Sequence, residues 1–525
     1  MRVSNVMPLV ATLVLAGCKD FLTEAPEDFF TPDNFPASEA DLQIALGGID
    51  NWYTGGTNQP YFIRGWPMIT EVPSDQTIYT RPADVSRFQQ DTYTLDPSNE
   101  WLWRVWRQIY GAIGQANFLI QRIPQMTGLA QDVKNHYLGA AKFHRALNYF
   151  NAARVWGSVP LTLEPVTDFG GVTQVPRAPL ADVYAAIIAD LQDAATLLPL
   201  RWPGSATPDD GRPTQGAAYA MLADAYMNMS GALIRQDHWA DAARAAKAVM
   251  DSGRYSLVPN FADLWLIKNK NGPEHIYSIQ FQGVKRNLFT CQSRPGGTSI
   301  GAESCIDYWY STPDFMNTFD PLDARKSVTF LTQVNVPLGC TTGAAGCVTY
   351  YYDRTASDGK TAPFGDKRPR FPSFMPYYGK FFDGNGPIQN SQNQRTDLNW
   401  PIYRYAEVLL MFAEAENEAN GPANAYQAIN AVRARAHLLP LAGLSQDQFR
   451  DSVHQERSWE LAFESKRLFD LKRWYSKIDP SQPLFYEQLS KDSVAKIGVK
   501  DFMVFLPIPQ REIDLDPALG QNPGY

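Results

Sequence analysis

Segments with helical periodicity occupy both ends of this chain and enclose a long stretch of a different kind. In each segment apolar residues recur at three- and four-residue spacing, the pattern of a helix that buries one face. A chain of 525 residues built in this way is predicted to have a mainly α-helical fold. The segments are 100–122, 134–156, 182–198, 214–229, 239–252, 403–420, 424–437 and 445–474, the last with breaks.

The stretch between the helical ends, residues 255–399, carries few helical signals and one strand-like run at 275–281. A structureless loop of this length is implausible in a compact domain, so we expect loops, short strands and short helices. Residues 51–99, rich in Gly, Pro, Thr, Tyr and Trp, form a second loop region. The expected organisation is a signal peptide 1–17, a helical part 18–254, an irregular inserted lobe 255–399, and a helical part 400–525 that ends in an extended tail from 501.

The first eighteen residues have the features of a lipoprotein signal. Arg2 precedes an apolar run of about ten residues, half of what a helix needs to cross a bilayer. The run ends in Leu15-Ala16-Gly17-Cys18, which resembles a bacterial lipobox and implies cleavage before Cys18 and lipid attached to it. An ordinary signal peptide with a chance cysteine is the alternative. We expect a mature chain that is anchored to a membrane at Cys18 and does not span it.

The other four cysteines predict two local disulfides, because export leads to an oxidising compartment where disulfides persist. Cys291 and Cys305 flank a Gly-rich segment, and Cys340 and Cys347 flank a turn-like hexapeptide. A zinc site is the alternative, but neither spacing is C-x-x-C and no histidine is close in sequence.

Composition excludes several classes of protein. Lys and Arg number 47 and Asp and Glu number 55, so the formal charge of −8 argues against sequence-independent nucleic-acid binding. A charged fraction of 19% with 13% aromatic residues argues against a disordered chain. The length is sufficient to bury a large core.

Blocks along the mature chain together resemble the SusD/RagB family of outer-membrane nutrient-binding lipoproteins. Each block is weak alone, and their joint order is specific. They are CKDFL at 18–22, KFHRALNYF at 142–150, GSVPL at 157–161, VPR at 175–177, GRPTQGAA at 211–218, YRYAEVLL at 403–410, ELAFE at 460–464, RLFDL at 467–471, PIP at 507–509 and QNPGY at 521–525.

The resemblance implies tetratricopeptide-like helix pairs that form a scaffold, with an irregular ligand-facing lobe. It implies capture of an oligosaccharide at the cell surface and delivery to a SusC-like TonB-dependent transporter, with the lipid anchor in the outer membrane. Within the blocks, Arg404, Glu407 and Glu414 are interpreted as buried charge pairs, because a buried charge must be paired. Two alternatives stay open: a transporter lid that handles peptide or another non-glycan nutrient and, less favoured, a glycan-active enzyme.

Sugar binding needs flat aromatic faces and hydrogen-bonding side chains, since a glycan presents apolar C–H faces and hydroxyls. Aromatic residues in irregular segments are better candidates than those on helices, so Trp101, Trp103 and Trp106 are assigned to the core. Tyr350, Tyr351, Tyr352, Tyr377 and Tyr378 form a less specific group. The candidates are Trp52, Tyr53, Trp66, Asp75, Tyr79 and Arg81, with Tyr61 nearby, and Gln292, Tyr308, Trp309 and Tyr310.

Catalytic and metal-binding motifs are not apparent. Gly297-Thr298-Ser299-Ile300-Gly301 matches G-x-S-x-G but lacks the strand and helix that a nucleophile elbow needs. The sequence has no P-loop, no dinucleotide fingerprint and no pair of histidines at i, i+4, and no local pattern selects a glycosidase carboxylate pair. We predict a binding protein without a cofactor. A structural calcium ion in the lobe stays open, because oxygen ligands leave little spacing signature.

Overall fold

Helices make up most of the part of the chain that the structure describes. The structure is a computed structural model, and it describes residues 35–55, 61–79, 83–166, 174–205, 211–281, 309–336, 348–351, 376–381, 397–492 and 495–525. The helices are α1 (Glu39–Thr54), α2 (Trp66–Thr70), α3 (Val85–Thr92), α4 (Glu100–Gln125), α5 (Gln131–Trp156), α6 (Leu180–Leu197), α7 (Gln215–Ser230), α8 (Trp239–Asp251), α9 (Pro313–Asn317), α10 (Lys326–Thr329), α11 (Tyr405–Asn420), α12 (Tyr426–Arg435), α13 (Gln446–Glu460), α14 (Arg467–Arg473), α15 (Leu484–Leu489) and α16 (Gln510–Leu515).

The predicted helices are present with small changes at their ends, so the mainly helical fold is confirmed. The break expected within 445–474 falls between α13 and α14. There Phe463 and Ser465 adopt positive φ angles of 59° and 56°. A left-handed backbone cannot continue a right-handed helix, so the chain turns at this point. A capping box between Ser445 and Gln448 starts α13 and satisfies backbone N–H groups that would otherwise lack acceptors.

Two expectations about local structure are wrong, and one helix was not expected. The region 51–99, predicted to be a loop, contains α2, α3 and a short strand, and the tail from 501, predicted to be extended, contains α16. The helix α1 was not predicted. It starts with a capping box between Ser38 and Asp41, and it buries Leu42 and Ile49 on its inner face.

The long helices form one continuous stack. Each of α4, α5, α6, α7, α8, α11 and α13 packs against the next in this order. The contact of α8 with α11 joins the two helical parts across the inserted lobe, and one hydrophobic core runs through both. The helix α8 carries Ala242, Ala245 and Ala246 on its buried face. Small side chains allow close approach of its neighbours, so the helical parts form one scaffold.

The strands are short and pair in twos. They are β1 (Thr77–Tyr79), β2 (Val159–Pro160), β3 (Arg177–Ala178), β4 (His275–Ile279), β5 (Trp309–Ser311), β6 (Phe330–Leu331), β7 (Gln333–Val336), β8 (Val348–Tyr351), β9 (Tyr377–Tyr378) and β10 (Trp400–Arg404). The antiparallel pairs are β1 with β5, β2 with β3, β4 with β10, β6 with β9, and β7 with β8. The described part of the lobe thus consists of short strands, short helices and loops, as expected.

Candidate functional site

The pairing of β1 with β5 brings together candidate residues that lie far apart in the sequence, Tyr79 on β1 and Trp309 and Tyr310 on β5. In this antiparallel ladder Ile78 lies opposite Tyr310 and Tyr79 lies opposite Trp309. From Tyr79 the chain continues towards Arg81, and the residue before Trp309 is Tyr308. The ladder therefore fixes the point from which both candidate segments leave the scaffold.

Tyr377 and Tyr378, from the less specific group of tyrosines, contact this ladder. The hydroxyl of Tyr377 donates to the hydroxyl of Tyr310 at 2.9 Å, and their ring centroids lie 4.4 Å apart. The hydroxyl of Tyr378 donates to the backbone oxygen of Gln76 at 2.7 Å. We call Tyr79, Trp309, Tyr310, Tyr377 and Tyr378 the aromatic junction.

The aromatic junction rests on the turn between α13 and α14. The ring of Tyr378 stacks on Phe463, with centroids 4.1 Å apart and planes 5° apart. Stacking of this kind adds to the area that the rings bury. The left-handed turn at Phe463 thereby supports the lobe as well as ending the helix.

Five of the candidate aromatic residues are core residues. Tyr53, Tyr79 and Trp309 are fully buried, Trp66 is 3% exposed and Tyr310 is 4% exposed. Their ring faces are covered by protein, which corrects the expectation that they stack on sugar. These rings pack against other segments of the chain and not against solvent. Such packing has no local signature in the sequence.

The buried rings of Tyr53, Tyr61 and Trp66 have specific partners in the core. The hydroxyl of Tyr53 lies 3.1 Å from Nδ1 of His144 and accepts from Asn148 at 2.8 Å. Tyr61, which is also fully buried, accepts from Asn151 at 2.8 Å. Trp66 stacks on Phe469, with ring centroids 5.7 Å apart. These contacts join the region 61–70 to α5 and α14.

Trp52 differs from its neighbours because its side chain is half-buried. Its ring lies against Gly111 of α4, where a Cβ would be 2.6 Å from ring atoms. Any side chain at position 111 would displace the ring. Trp52 remains a candidate for ligand contact.

Asp75 is engaged in an ion pair. Arg467 donates from Nε to Oδ1 at 2.9 Å and from Nη2 to Oδ2 at 2.7 Å, and Gln488 donates to Oδ2 at 2.9 Å. Burial alone would raise the pKa of Asp75, but the charge and hydrogen bonds of Arg467 hold it below the ordinary value. The carboxylate joins β1 to α14 and α15, which corrects the expectation that it is available to sugar hydroxyls.

Several predicted positions lie outside the described residues. They are Cys18, Arg81, Gln292, Tyr308, the G-x-S-x-G match at 297–301, and the cysteines Cys291, Cys305, Cys340 and Cys347.

The charged residues of the family blocks form buried ion pairs, as predicted. Arg404 binds Glu274 and Glu460 through Nη1 at 2.8 and 2.9 Å. Glu407 pairs with Lys466 at 2.9 Å. Glu414 accepts from Nη2 of Arg473 at 2.8 Å. The carboxylates are thus neutralised within the scaffold.

The centre of this network extends beyond the residues that the sequence singled out. Lys380 of the lobe donates to Oε1 of Glu464 at 2.8 Å, and Arg325 pairs with Glu456 at 2.7 Å. Burial would raise the pKa of Glu464, but Arg404 and Lys380 hold it below its usual value. Lys380 and Arg325 lie in irregular segments, where no periodic signal marks them as buried partners. They tie the lobe to the scaffold.

Neither a membrane-spanning helix nor a cluster of metal ligands occurs in the described ranges. No helix there is both long and apolar enough to cross a membrane. The same residues contain no group of three or more His, Cys, Asp or Glu arranged to hold a metal ion.

The continuous stack of helices with an inserted lobe defines the structural class of a helical-repeat protein. Two family models match the chain: one described as SusD family matches residues 225–525, and one described as starch-binding associating with outer membrane matches residues 49–227. The first model covers more than half of the chain. The chain belongs to the SusD family.

Relatives and solved structures agree with this assignment. SusD-like protein P25 of Formosa agariphila is 26% identical over 554 aligned residues that cover all of both chains. A SusD-like protein of Bacteroides ovatus is 24% identical over 97% of this chain and 96% of its own. The structure of a SusD homolog from Bacteroides thetaiotaomicron superposes with a TM-score of 0.78 at 22% identity, covering 94% of this chain and 98% of that one.

Two further structural neighbours carry ligand information in their descriptions. One is described as a laminarin binding SusD-like protein, with a TM-score of 0.70 and 22% identity over 93% of this chain and all of that one. Another was solved with xylogluco-oligosaccharide, with a TM-score of 0.71 and 21% identity over 91% of this chain and 98% of that one. At these identities the likeness establishes the fold.

Proposed function

We propose that this protein captures oligosaccharides at the cell surface and passes them to a SusC-like TonB-dependent transporter. The observation that carries the proposal is the family match, because the two family models together span residues 49–525. One of these models is described as starch-binding, and two neighbours of the same fold are described with laminarin or xylogluco-oligosaccharide.

The glycan contacts are proposed to lie where the chain leaves the aromatic junction. Arg81 follows β1 by two residues and Tyr308 immediately precedes β5, so the two are close to paired positions of one ladder. Gln292 belongs to the same lobe segment as Tyr308. A tyrosine ring can cover an apolar sugar face, and a guanidinium and an amide can bind hydroxyls. The buried junction would act as the rigid base that positions these side chains.

The protein is proposed to act by binding and not by catalysis. Among the described residues, Glu414, Glu460 and Glu464 are paired with buried cations, which hold the pKa of each carboxyl below its ordinary value. Such pairing keeps a carboxylate ionised and engaged, whereas a general acid needs a proton near neutral pH.

The lipid anchor and the transporter are the remaining parts of the proposal. Cys18 would carry the lipid that holds the mature chain at the outer membrane, in line with the outer-membrane association in the family description. The transporter is the partner that the family implies, and the continuous helical stack offers it a rigid surface. The proposed disulfides Cys291–Cys305 and Cys340–Cys347 would stabilise lobe loops.

Calorimetric titration of the mature chain tests the proposal. The panel consists of neutral and acidic oligosaccharides, with peptides as the competing class of cargo. We expect saturable binding of at least one oligosaccharide. Binding of peptides alone would support the transporter lid for a non-glycan nutrient, and release of shortened sugars would indicate an enzyme.

A further inference from the structure

A cavity of about 620 Å³ lies in the helical scaffold, away from the aromatic junction. Its walls come from the start of α8, the second half of α11, the first half of α13 and the segment 474–484. Pockets of a few hundred to about 1,000 Å³ are the usual size for small ligands. No residue of the aromatic junction lines it, so this is a separate place on the molecule.

An aromatic pair held in a fixed orientation supports one wall of the cavity. The imidazole of His454 stacks on Trp474, with centroids 3.7 Å apart and planes 16° apart. Nε1 of Trp474 donates to Oε1 of Glu414 at 2.9 Å, and Arg473 binds the same carboxylate. Trp474 is 3% exposed, so this pair is a fixed support and not a stacking surface. The aromatic side chains that the cavity can offer to a ligand are Trp239, which is half-buried, and Tyr475, which is exposed.

The rim of the cavity carries charges that are compensated in pairs. Arg450 donates to both carboxylate oxygens of Glu418 at 2.7 Å and also to Asp447 at 2.5 Å. Lys477 pairs with Asp451 at 2.8 Å, and both side chains are more than half exposed. The cavity therefore presents alternating donors and acceptors with little net charge.

The electrostatics of His454 agree with this compensation. Burial lowers the pKa of His454, while Glu414 opposes the change, and the net direction favours the neutral imidazole. Groups that face it are Glu414, Arg473 and Asp470, and Arg473 pairs with both carboxylates. A charged ligand would have to displace existing ion pairs, whereas a neutral ligand would not.

From this arrangement we propose that the cavity is a second carbohydrate site, which takes one or two neutral sugar units. Flat rings suit the C–H faces of a sugar. Where a carboxylate lies beside a cation, the carboxylate can accept from one sugar hydroxyl and the cation can donate to the neighbouring hydroxyl, which suits a vicinal diol. The proposal takes its ligand class from the proposed function, and it adds a site on the scaffold to the one at the lobe.

The test uses calorimetry with the mature chain and three neutral probes: maltoheptaose, a laminarin oligosaccharide and a xylogluco-oligosaccharide. Tyr475→Ala removes an aromatic wall, and the double variant Asp451→Asn with Lys477→Gln removes a rim pair without changing the net charge. The matched controls are Tyr486→Ala, which removes an exposed tyrosine outside the cavity, and Lys247→Gln with Asp251→Asn, an exposed pair on α8.

We expect the wild type to bind at two sites, and each cavity variant to weaken one of them by about tenfold, equivalent to about 1.4 kcal/mol. The controls should bind like the wild type, and Tyr308→Ala should spare the cavity site. Cavity variants that match the wild type for every probe would overturn this inference and leave the proposed function standing. A wild type that binds no oligosaccharide at all would overturn the proposed function as well.

Discussion

The guanidinium of Arg404 holds both carboxylate oxygens of Glu464. Nε donates to Oε2 at 2.8 Å, and Nη2 donates to Oε1 at 2.7 Å. Both side chains are almost completely buried, and Arg404 also binds Glu274 and Glu460. The end of β10, just before α11, is thereby joined to the turn that carries the aromatic junction.

Removal of this arginine is expected to destabilise the fold strongly. Arg404→Ala should lower the free energy of unfolding by about 3–5 kcal/mol, because it leaves buried carboxylates without their cation. Urea denaturation measures the change. The control is Arg244→Ala, which breaks an exposed ion pair with Asp241 and should cost about 0–1 kcal/mol. Equal effects of the two substitutions would contradict the buried network.

Trp309 gives a second test of stability. Trp309→Ala should lower the free energy of unfolding by about 3–5 kcal/mol, because the ring is fully buried beside Phe463. Tyr486→Ala, at an exposed position, is the control and should change it by less than about 1 kcal/mol. Thermal or urea denaturation distinguishes the two. A stable Trp309→Ala variant with lost glycan binding would instead place this ring in the ligand site.

Lys472 predicts a pH dependence of stability. Burial, followed by the charge of Arg154, lowers its pKa to about 7. Below pH 7 both the folded and unfolded chains hold the proton, and the cost of burying the charge is fully present. Above pH 7 the folded chain releases the proton first, so this residue makes stability rise between pH 7 and 9.

Lys472→Met should therefore remove that rise and raise the free energy of unfolding at pH 7. Lys247→Met, at an exposed position, is the control and should keep the wild-type pH profile. Urea denaturation at several pH values measures both. A Lys472→Met variant that is less stable than the wild type at pH 7, with an unchanged slope, would contradict a lowered pKa.

The proposed ligand contacts can be separated from the core by binding measurements. Tyr308→Ala and Arg81→Ala should each weaken binding of an oligosaccharide by about tenfold, because each removes a stacking or hydrogen-bonding group. The free energy of unfolding should stay close to that of the wild type. Unchanged affinity in both variants would move the ligand away from the ends of the β1–β5 ladder.

The lipid anchor predicts a change of location. Cys18→Ser should prevent lipid attachment, so the protein should leave the outer-membrane fraction and stay in the signal-bearing form. Cell fractionation with mass spectrometry of the N-terminus measures this. A Cys18→Ser protein that is still retained in the membrane fraction would argue against an anchor at this cysteine.

The helical part of the fold could be predicted because helices leave a periodic pattern. Residues 134–156 and 239–252 were predicted almost to the residue, and the structure has α5 and α8 there. The helix α1 lies mostly in the predicted helical part 18–254 but was not predicted as a helix, because its start is marked only by a short capping box and its end reaches into the predicted loop region 51–99. A break within 445–474 was predicted, but its position after Glu460 and the left-handed angles at Phe463 and Ser465 have no local sequence signature.

The candidate site could be predicted only in part. Aromatic content identified residues that the structure brings together, since Tyr79, Trp309 and Tyr377 meet at one junction. Their burial could not be predicted, because it depends on pairing between segments that are far apart in the sequence. For the same reason Asp75 gave no sign of its partner Arg467. The cavity beside His454 and Trp474 was also missed, since its walls come from four separate elements.

The most direct test of the central claim is hydrogen–deuterium exchange of the mature chain with and without a saturating oligosaccharide. The account predicts slower exchange in residues 80–82 and 286–308, which leave the aromatic junction, together with protection at 474–480 if the second site is filled. If calorimetry shows that the oligosaccharide binds, but exchange is not slowed in residues 80–82 or in residues 286–308, the proposed location of the glycan site is contradicted.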